Sequence, residues 1–208
     1  EIYTLSLHDA LPICNHKKHT VTDAPDQWGS FCRLGAVVFG RSIMYLGLNT
    51  FIVLYFMNHF HESQNFSNLL LSVYYGIGAL FTLIGGKLGD KHGYRTFVRF
   101  GFLLAFPAAL ILAWTDSSIL GILCLIVLGA ALNLTYSPMV VLGQQYLPNR
   151  VGLASGITLG LAVSVGGITA PLLGKVGDMY GLETTFYVIA LITLIPLISS
   201  FTLPKPKK

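Results

Sequence analysis

Residues 86–97 read GKLGDKHGYRTF and residues 174–186 read GKVGDMYGLETTF, the second beginning 88 positions after the first. Each phrase lies between long apolar runs, in a chain of 208 residues that is 53% hydrophobic and only 11% charged. Setting Gly86 on Gly174 pairs Lys87 with Lys175, Gly89 with Gly177, Asp90 with Asp178 and Gly93 with Gly181. The copies differ in charge. The first holds Lys87, Lys91 and Arg95 with Arg99 just beyond, whereas the second has Lys175 beside Asp178 and Glu183. The pairing and the charge difference together decide how the chain is folded.

A mean hydropathy of +0.67 lies far from soluble domains, where about a quarter of residues are charged. Apolar stretches of roughly 18 residues or more are long enough to cross a hydrocarbon core as helices. Six can be drawn: 34–57, 67–86, 97–114, 119–142, 151–173 and 185–203, with Arg41 alone as a charge well inside one. Membrane-barrel strands would alternate over about ten residues, and these runs are too long and too uniformly apolar. The composition predicts an all-α membrane protein with six transmembrane helices.

Lys and Arg gather in short cytoplasmic loops, because translocating them is unfavourable. With six spans both termini share one side. That side collects Lys17, Lys18, Arg33, Lys87, Lys91, Arg95, Arg99, Arg150, Lys205, Lys207 and Lys208, eleven in all, against Lys175 on the other. Both termini are therefore expected in the cytoplasm, with the chain in a plasma (bacterial inner) membrane. The net charge of +4 then reflects topology and attraction to anionic lipid and implies no nucleic-acid partner.

The offset of 88 also carries the start of the first span onto that of the fourth. The chain thus reads as two three-helix units, 30–117 and 118–204. An odd number of helices per unit forces the second to insert upside down, as the opposite loop charges require.

The first phrase resembles the signature G-x-L-a-D-r-x-G-r-k of the major facilitator superfamily, matched by Gly86, Leu88, Asp90, Lys91, Gly93 and Arg95. Tyr94 departs from the usual basic residue. The stretches RSIMYLGLNTF (41–51) and YLPNRVGLASGITLGLAVSVGGITAPLLGKVGD (146–178) resemble that superfamily's fosmidomycin-resistance efflux family over about residues 30–204. The resemblance implies inverted repeats nested in a six-helix half, here the C-terminal half of a twelve-helix transporter. It also implies proton-coupled export of a small-molecule drug by alternating access. Sugar or organic-anion porters, and a six-helix transporter acting as a homodimer, are the alternatives. Asp90 would then latch against a helix N-terminus or a basic side chain and release as the bundle rocks.

Candidate pathway residues follow from helical spacing. Arg41, Tyr45 and Asn49 recur every four residues and share one face of the first span. Asn133, Tyr136 and Ser137 share a face of the fourth, just before Pro138, which frees a backbone carbonyl and permits a bend. Tyr74 and Tyr75 are further candidates in the second span. Arg41 lies about 10 Å inside its span at 1.5 Å per residue. It either snorkels to the inner headgroups or faces the cavity as a cation for an anionic, phosphonate-like drug. In the fifth span Gly152, Gly156 and Gly160, then Gly166, Gly167 and Pro171, are expected to let helices pack closely or bend. No Asp or Glu lies inside the six drawn runs, so a proton-coupling carboxylate is expected in an N-terminal six-helix half outside this chain.

An intramembrane enzyme would need clustered His, Asp, Glu or Ser–Lys pairs near one membrane face, and the runs hold none. Cys14, Cys32 and Cys124 show no paired spacing and imply no metal site. His59 and His61 read as solvated loop residues, and no cofactor is expected. The opening EIYTLSLHDALPI, residues 1–13, is similar, residue for residue, to one reading frame of a common sequencing adapter and is expected to be an assembly artefact. Residues 14–29 read as the end of a central cytoplasmic linker, and 205–208 as a basic tail.

Overall fold

The computed structural model describes residues 25–204, so the expectations for 1–13, for most of 14–29 and for 205–208 fall outside the described residues. The helices are α1 (Trp28–Asn58), α2 (Gln64–His92), α3 (Tyr94–Trp114), α4 (Ser118–Leu134), α5 (Tyr136–Tyr146), α6 (Val151–Tyr180), α7 (Leu182–Ile192) and α8 (Leu194–Phe201). A short turn, Pro148–Arg150, precedes α6. Helices α4 and α5 form one bent span and α7 and α8 another, so six helical segments are long and apolar enough to cross a membrane.

The repeat is visible in the element boundaries. A shift of 88 residues carries the end of α1 at Asn58 onto the end of α5 at Tyr146. It carries the end of α2 at His92 onto that of α6 at Tyr180, and the start of α3 at Tyr94 onto that of α7 at Leu182. Burial follows the same pairing. The most apolar stretch is 61% buried in the first span and 56% in the fourth, 22% in both the second and the fifth, and 44% and 39% in the third and sixth. Repeat mates therefore occupy equivalent layers, with α1 and α4–α5 at the centre. Helix α1 packs on α6 and α8, α2 on α4, and α3 on α4 and α7.

The connection read over 86–97 is almost entirely helical. Helix α2 continues to His92, six residues past its apolar run, and a single residue, Gly93, separates it from α3. Hydropathy marks where a helix leaves the membrane, not where its hydrogen-bond ladder stops. The stop is set by Gly93 at φ +91°, whose N–H donates to Gly89 O at 2.9 Å. Gly181 repeats the device at φ +90°, donating to Gly177 O at 2.9 Å. Side-chain-bearing residues are strained at this φ, which explains why the repeated phrase keeps a glycine there.

The bend expected near Pro138 occurs at Thr135, and a second bend, not anticipated, occurs at Thr193 ahead of Pro196. Proline removes a helical donor and its ring clashes with the carbonyl four residues earlier, so the disruption falls upstream. Pro107 and Pro171 nevertheless lie inside continuous helices. Both broken sites read Thr-x-x-Pro, whereas the intact ones read Leu-x-x-Pro and Ile-x-x-Pro. Thr135 Oγ1 donates to Leu132 O at 2.9 Å and Thr193 Oγ1 to Ile189 O at 3.0 Å. A threonine hydroxyl competing for a helix carbonyl adds to the loss at the proline, and together they break the segment.

With lipid tails as apolar as leucine, close backbone approach matters more to helix association in a membrane than burial from water does. Gly85 makes such an approach: a Cβ placed there would meet the Leu134 carbonyl directly. Polar groups close the bundle at the end where α8 finishes. Arg99 donates to Ser200 O at 3.0 Å and Phe201 O at 2.6 Å, and Arg33 to Thr202 O at 3.1 Å. Cations thereby meet the negative, carbonyl-bearing end of α8.

Candidate functional site

Arg41 is 4% exposed, so it does not reach back to a headgroup. Its Nε donates to Leu132 O at 3.0 Å. The Leu132 carbonyl also accepts from Thr135, so the bend between α4 and α5 offers the carbonyl that orients the guanidinium. The guanidinium carbon lies 4.8 Å from the centre of the Tyr136 ring and 5.2 Å from that of Tyr45. Such cation–π contacts steady a desolvated cation without neutralising it. Among the described residues no carboxylate pairs with Arg41. One positive charge is thus held inside the bundle with rings and a carbonyl around it.

This charge borders an open cleft of about 520 Å³ lined by Arg41, Ser42, Tyr45, Leu46, Asn133, Tyr136, Ala162, Val163 and Gly167. Small-molecule sites typically fall at about 300–1,000 Å³, with few polar groups among apolar walls. Asn133 is partly committed, its Nδ2 donating to Gly129 O at 2.8 Å.

The structure brings Arg41, Tyr45, Asn133 and Tyr136 together, sets the Tyr74 ring beside that of Tyr45 with centroids 6.4 Å apart, and leaves the other candidates outside the cleft. Ser137 is turned toward α2, its Oγ 3.2 Å from where a Cβ on Gly86 would stand. Tyr74 is buried against α4, over Gly129, with a hydroxyl that has no hydrogen-bond partner among the described residues. Tyr75 is 46% exposed on the outside of α2. Asn49 is half-buried one turn beyond the cleft, its Oδ1 unpartnered among the described residues. Helix α6 contributes a wall that spacing on α1 and α4 did not reveal: Ala162, Val163 and Gly167, of which only Gly167 had been singled out, and for packing. Within the described residues Gly166 packs tightly on Leu46, while nothing lies within 4 Å of a Cβ added at Gly152, Gly156, Gly160 or Gly167. Pro171 is exposed within unbroken α6.

At the 86–97 connection Asp90 is exposed and accepts from the Tyr94 hydroxyl, one turn on across Gly93. Among the described residues its partner is therefore this phenol rather than a basic side chain or a neighbouring helix end, so the residue that departs from the signature supplies the contact. Gly89 lets the Tyr94 ring lie against α2. Lys91 is exposed, and Arg95 is half-buried with an Nε that has no partner among the described residues.

A family model described as Major Facilitator Superfamily matches residues 34–208. The chain is 32% identical over 162 residues to an uncharacterized MFS-type transporter, YfnC, of Bacillus subtilis (strain 168), covering 77% of this chain and 39% of that protein. It is 30% identical over 166 residues to the fosmidomycin resistance protein of Escherichia coli (strain K12), covering 79% of this chain and 40% of that protein. The chain thus spans about two fifths of the length of these relatives. Among solved structures, a peptide transporter, POT, in complex with alafosfalin superposes with a TM-score of 0.77 at 18% identity, over 85% of this chain and 38% of that one. The transporter FucP in its outward conformation superposes with a TM-score of 0.76 at 17% identity, over 85% and 42%. At these identities the superpositions establish the fold.

Proposed function

The chain belongs to the Major Facilitator Superfamily, and from that premise we propose that it forms one half of a drug exporter whose cleft receives an anionic, phosphonate-like small molecule at Arg41. The single observation that carries this reading is the buried guanidinium, which has no carboxylate partner among the described residues. An intramembrane charge left unpaired is costly, and it suits a site that a ligand's charge completes. The likeness to a fosmidomycin resistance protein supports export of such a drug, with proton coupling through a carboxylate in the other half. In this reading both termini are cytoplasmic, and the Asp90–Tyr94 contact is a latch that opens as the half rocks.

The test is reassembly. Co-expression of this chain with an N-terminal six-helix half of the family is expected to restore resistance to a phosphonate drug, and the 208-residue chain alone is not. In the reassembled protein, cysteines placed at His61 and Glu183 should react with a membrane-impermeant thiol reagent on intact cells, and one at Lys91 should not. Asp90→Asn and Tyr94→Phe should slow transport alike with little loss of protein from the membrane. Resistance from the lone chain would overturn the half-transporter reading, equal labelling at all three sites the topology, and wild-type rates in both latch variants the latch.

A further inference from the structure

The two repeats place unlike charges at equivalent positions. A shift of 88 residues carries Arg95, in the first turn of α3, onto Glu183, in the first turn of α7. A helix N-terminus is the positive end of its dipole, so it favours Glu183 and disfavours Arg95. Glu183 is also partnered. Its Oε1 lies 2.9 Å from Nδ1 of His59, whose side chain is only 13% exposed and is not the solvated residue its H-x-H spacing suggests. Arg95 has no such partner: its Nε is closed off from solvent with nothing among the described residues to accept from it. The nearby carboxylates are taken, Asp90 by the Tyr94 hydroxyl and Asp26 by Arg150 at 3.6 Å.

A second cation makes the position harder to hold. Arg99 follows one helical turn later on the same face of α3, and Arg95 lies within electrostatic reach of it and of the Tyr146 phenol. Arg99 spends its Nε and Nη2 on the carbonyls that end α8, with its guanidinium carbon 5.3 Å from the centre of the Phe201 ring. The fold thus supplies acceptors for the second arginine and none for the first.

Beyond this charge, along α3 and α8, the surface turns apolar. Leu103, one turn past Arg99, and Ile198 and Phe201 of α8 are exposed. Arg95 stands two residues before the apolar run that begins at 97, about 3 Å along the helix, and so at headgroup depth. We propose that Arg95, with Arg99 adding charge, binds the phosphate of an anionic phospholipid at the seam of α3 and α8, its acyl chains lying along Leu103, Ile198 and Phe201. Basic pockets between transmembrane helices hold lipid headgroups in this way, and a guanidinium fork matches two phosphate oxygens at once. The phosphate offsets the repulsion between the two arginines and suits the positive end of α3. Uncovered hydrocarbon surface beside the charge selects a lipid over a free ion. None of this depends on what the cleft binds or on which side of the membrane this end lies.

The test uses the full chain in a neutral detergent, titrated with phosphatidylglycerol, with bound lipid counted by native mass spectrometry. Arg95→Gln is expected to weaken binding at least about tenfold, the loss of a hydrogen bond between charged groups. Lys91→Gln removes an equal charge nearby, from an exposed side chain, and should leave binding nearly unchanged. Equal weakening in the two variants would reduce the effect to general attraction and overturn the site. Because Arg95→Gln can fail to fold, hydrogen exchange of the unmutated chain supplies an independent reading. Phosphatidylglycerol should slow amide exchange over residues 94–99 and leave residues 182–187, the equivalent turn of the second unit, unchanged. No protection at 94–99 refutes the proposal, and equal protection by inorganic phosphate assigns the site to a free ion and overturns the lipid.

Discussion

Arg41→Gln, in a transporter reassembled from this chain and an N-terminal half, is expected to cut export of an anionic drug about 10- to 150-fold. That range corresponds to the roughly 1.5–3 kcal/mol carried by a hydrogen bond to a charged group. Gln can still donate to Leu132 O, so the bend between α4 and α5 retains a partner and the amount of protein in the membrane should change little. What it lacks is the charge over the Tyr45 and Tyr136 rings. Arg41→Lys separates charge from shape: an ammonium keeps the attraction but loses the planar fork that grips two anionic oxygens at once, so its activity should fall between the other two. Efflux from proteoliposomes at matched protein levels is the measurement. If export survives both substitutions, Arg41 is a structural residue and the cleft does not select anions.

The second large effect concerns two glycines that look alike in sequence and stand in opposite surroundings. At Gly85 an added methyl would run into the Leu134 carbonyl, with Leu134 C and Cα at 3.1 and 3.2 Å behind it. Backbone cannot rotate aside as a side chain does, so α2 and α4 must part. Overpacking of this kind costs about 1–3 kcal/mol, and Gly85→Ala should lower the unfolding midpoint by about 2–12 °C. At Gly156 nothing lies within 4 Å of the same methyl. Gly156→Ala should instead stabilise this chain by up to about 1 kcal/mol through helix propensity alone. In the reassembled transporter a helix of the other half seated on that stripe would reverse the sign. Equal responses at the two glycines in the isolated chain would contradict the α2–α4 packing described here.

Much of the fold was legible because hydropathy and loop charge are local quantities. The six spans and the offset of 88 needed only neighbouring residues, and the structure carries the offset into helix ends and burial. Helix length was less legible, since α2 and α6 run on into polar sequence until a positive-φ glycine stops them. Of the cleft, spacing named Arg41 and Tyr45 on α1 and Asn133 and Tyr136 about the α4–α5 bend, and passed over Ser42 and Leu46. It misdirected Ser137, whose hydroxyl turns toward Gly86 of α2 while its neighbour Tyr136 faces the cleft. His59 was misread for a different reason: its partners Glu183 and Thr115 lie 124 and 56 residues away, and no local pattern announces such a meeting. The Thr-x-x-Pro contrast was readable in principle, and it would have placed both bends.

The bond from Arg41 to Leu132 spans 91 residues of chain, and that separation has a consequence for how the protein is made. At about 5–20 residues per second, α1 leaves the ribosome roughly 5–20 s before the carbonyl that will receive its guanidinium has been synthesised. Throughout that interval the arginine on α1 lacks the carbonyl that orients it in the finished fold. An arginine without its acceptor is costly in hydrocarbon, so α1 is expected to take its final place only once the bend at Thr135 has been made. The residue proposed to wait for a ligand in the finished transporter thus first waits, during translation, for a carbonyl 91 residues further along its own chain.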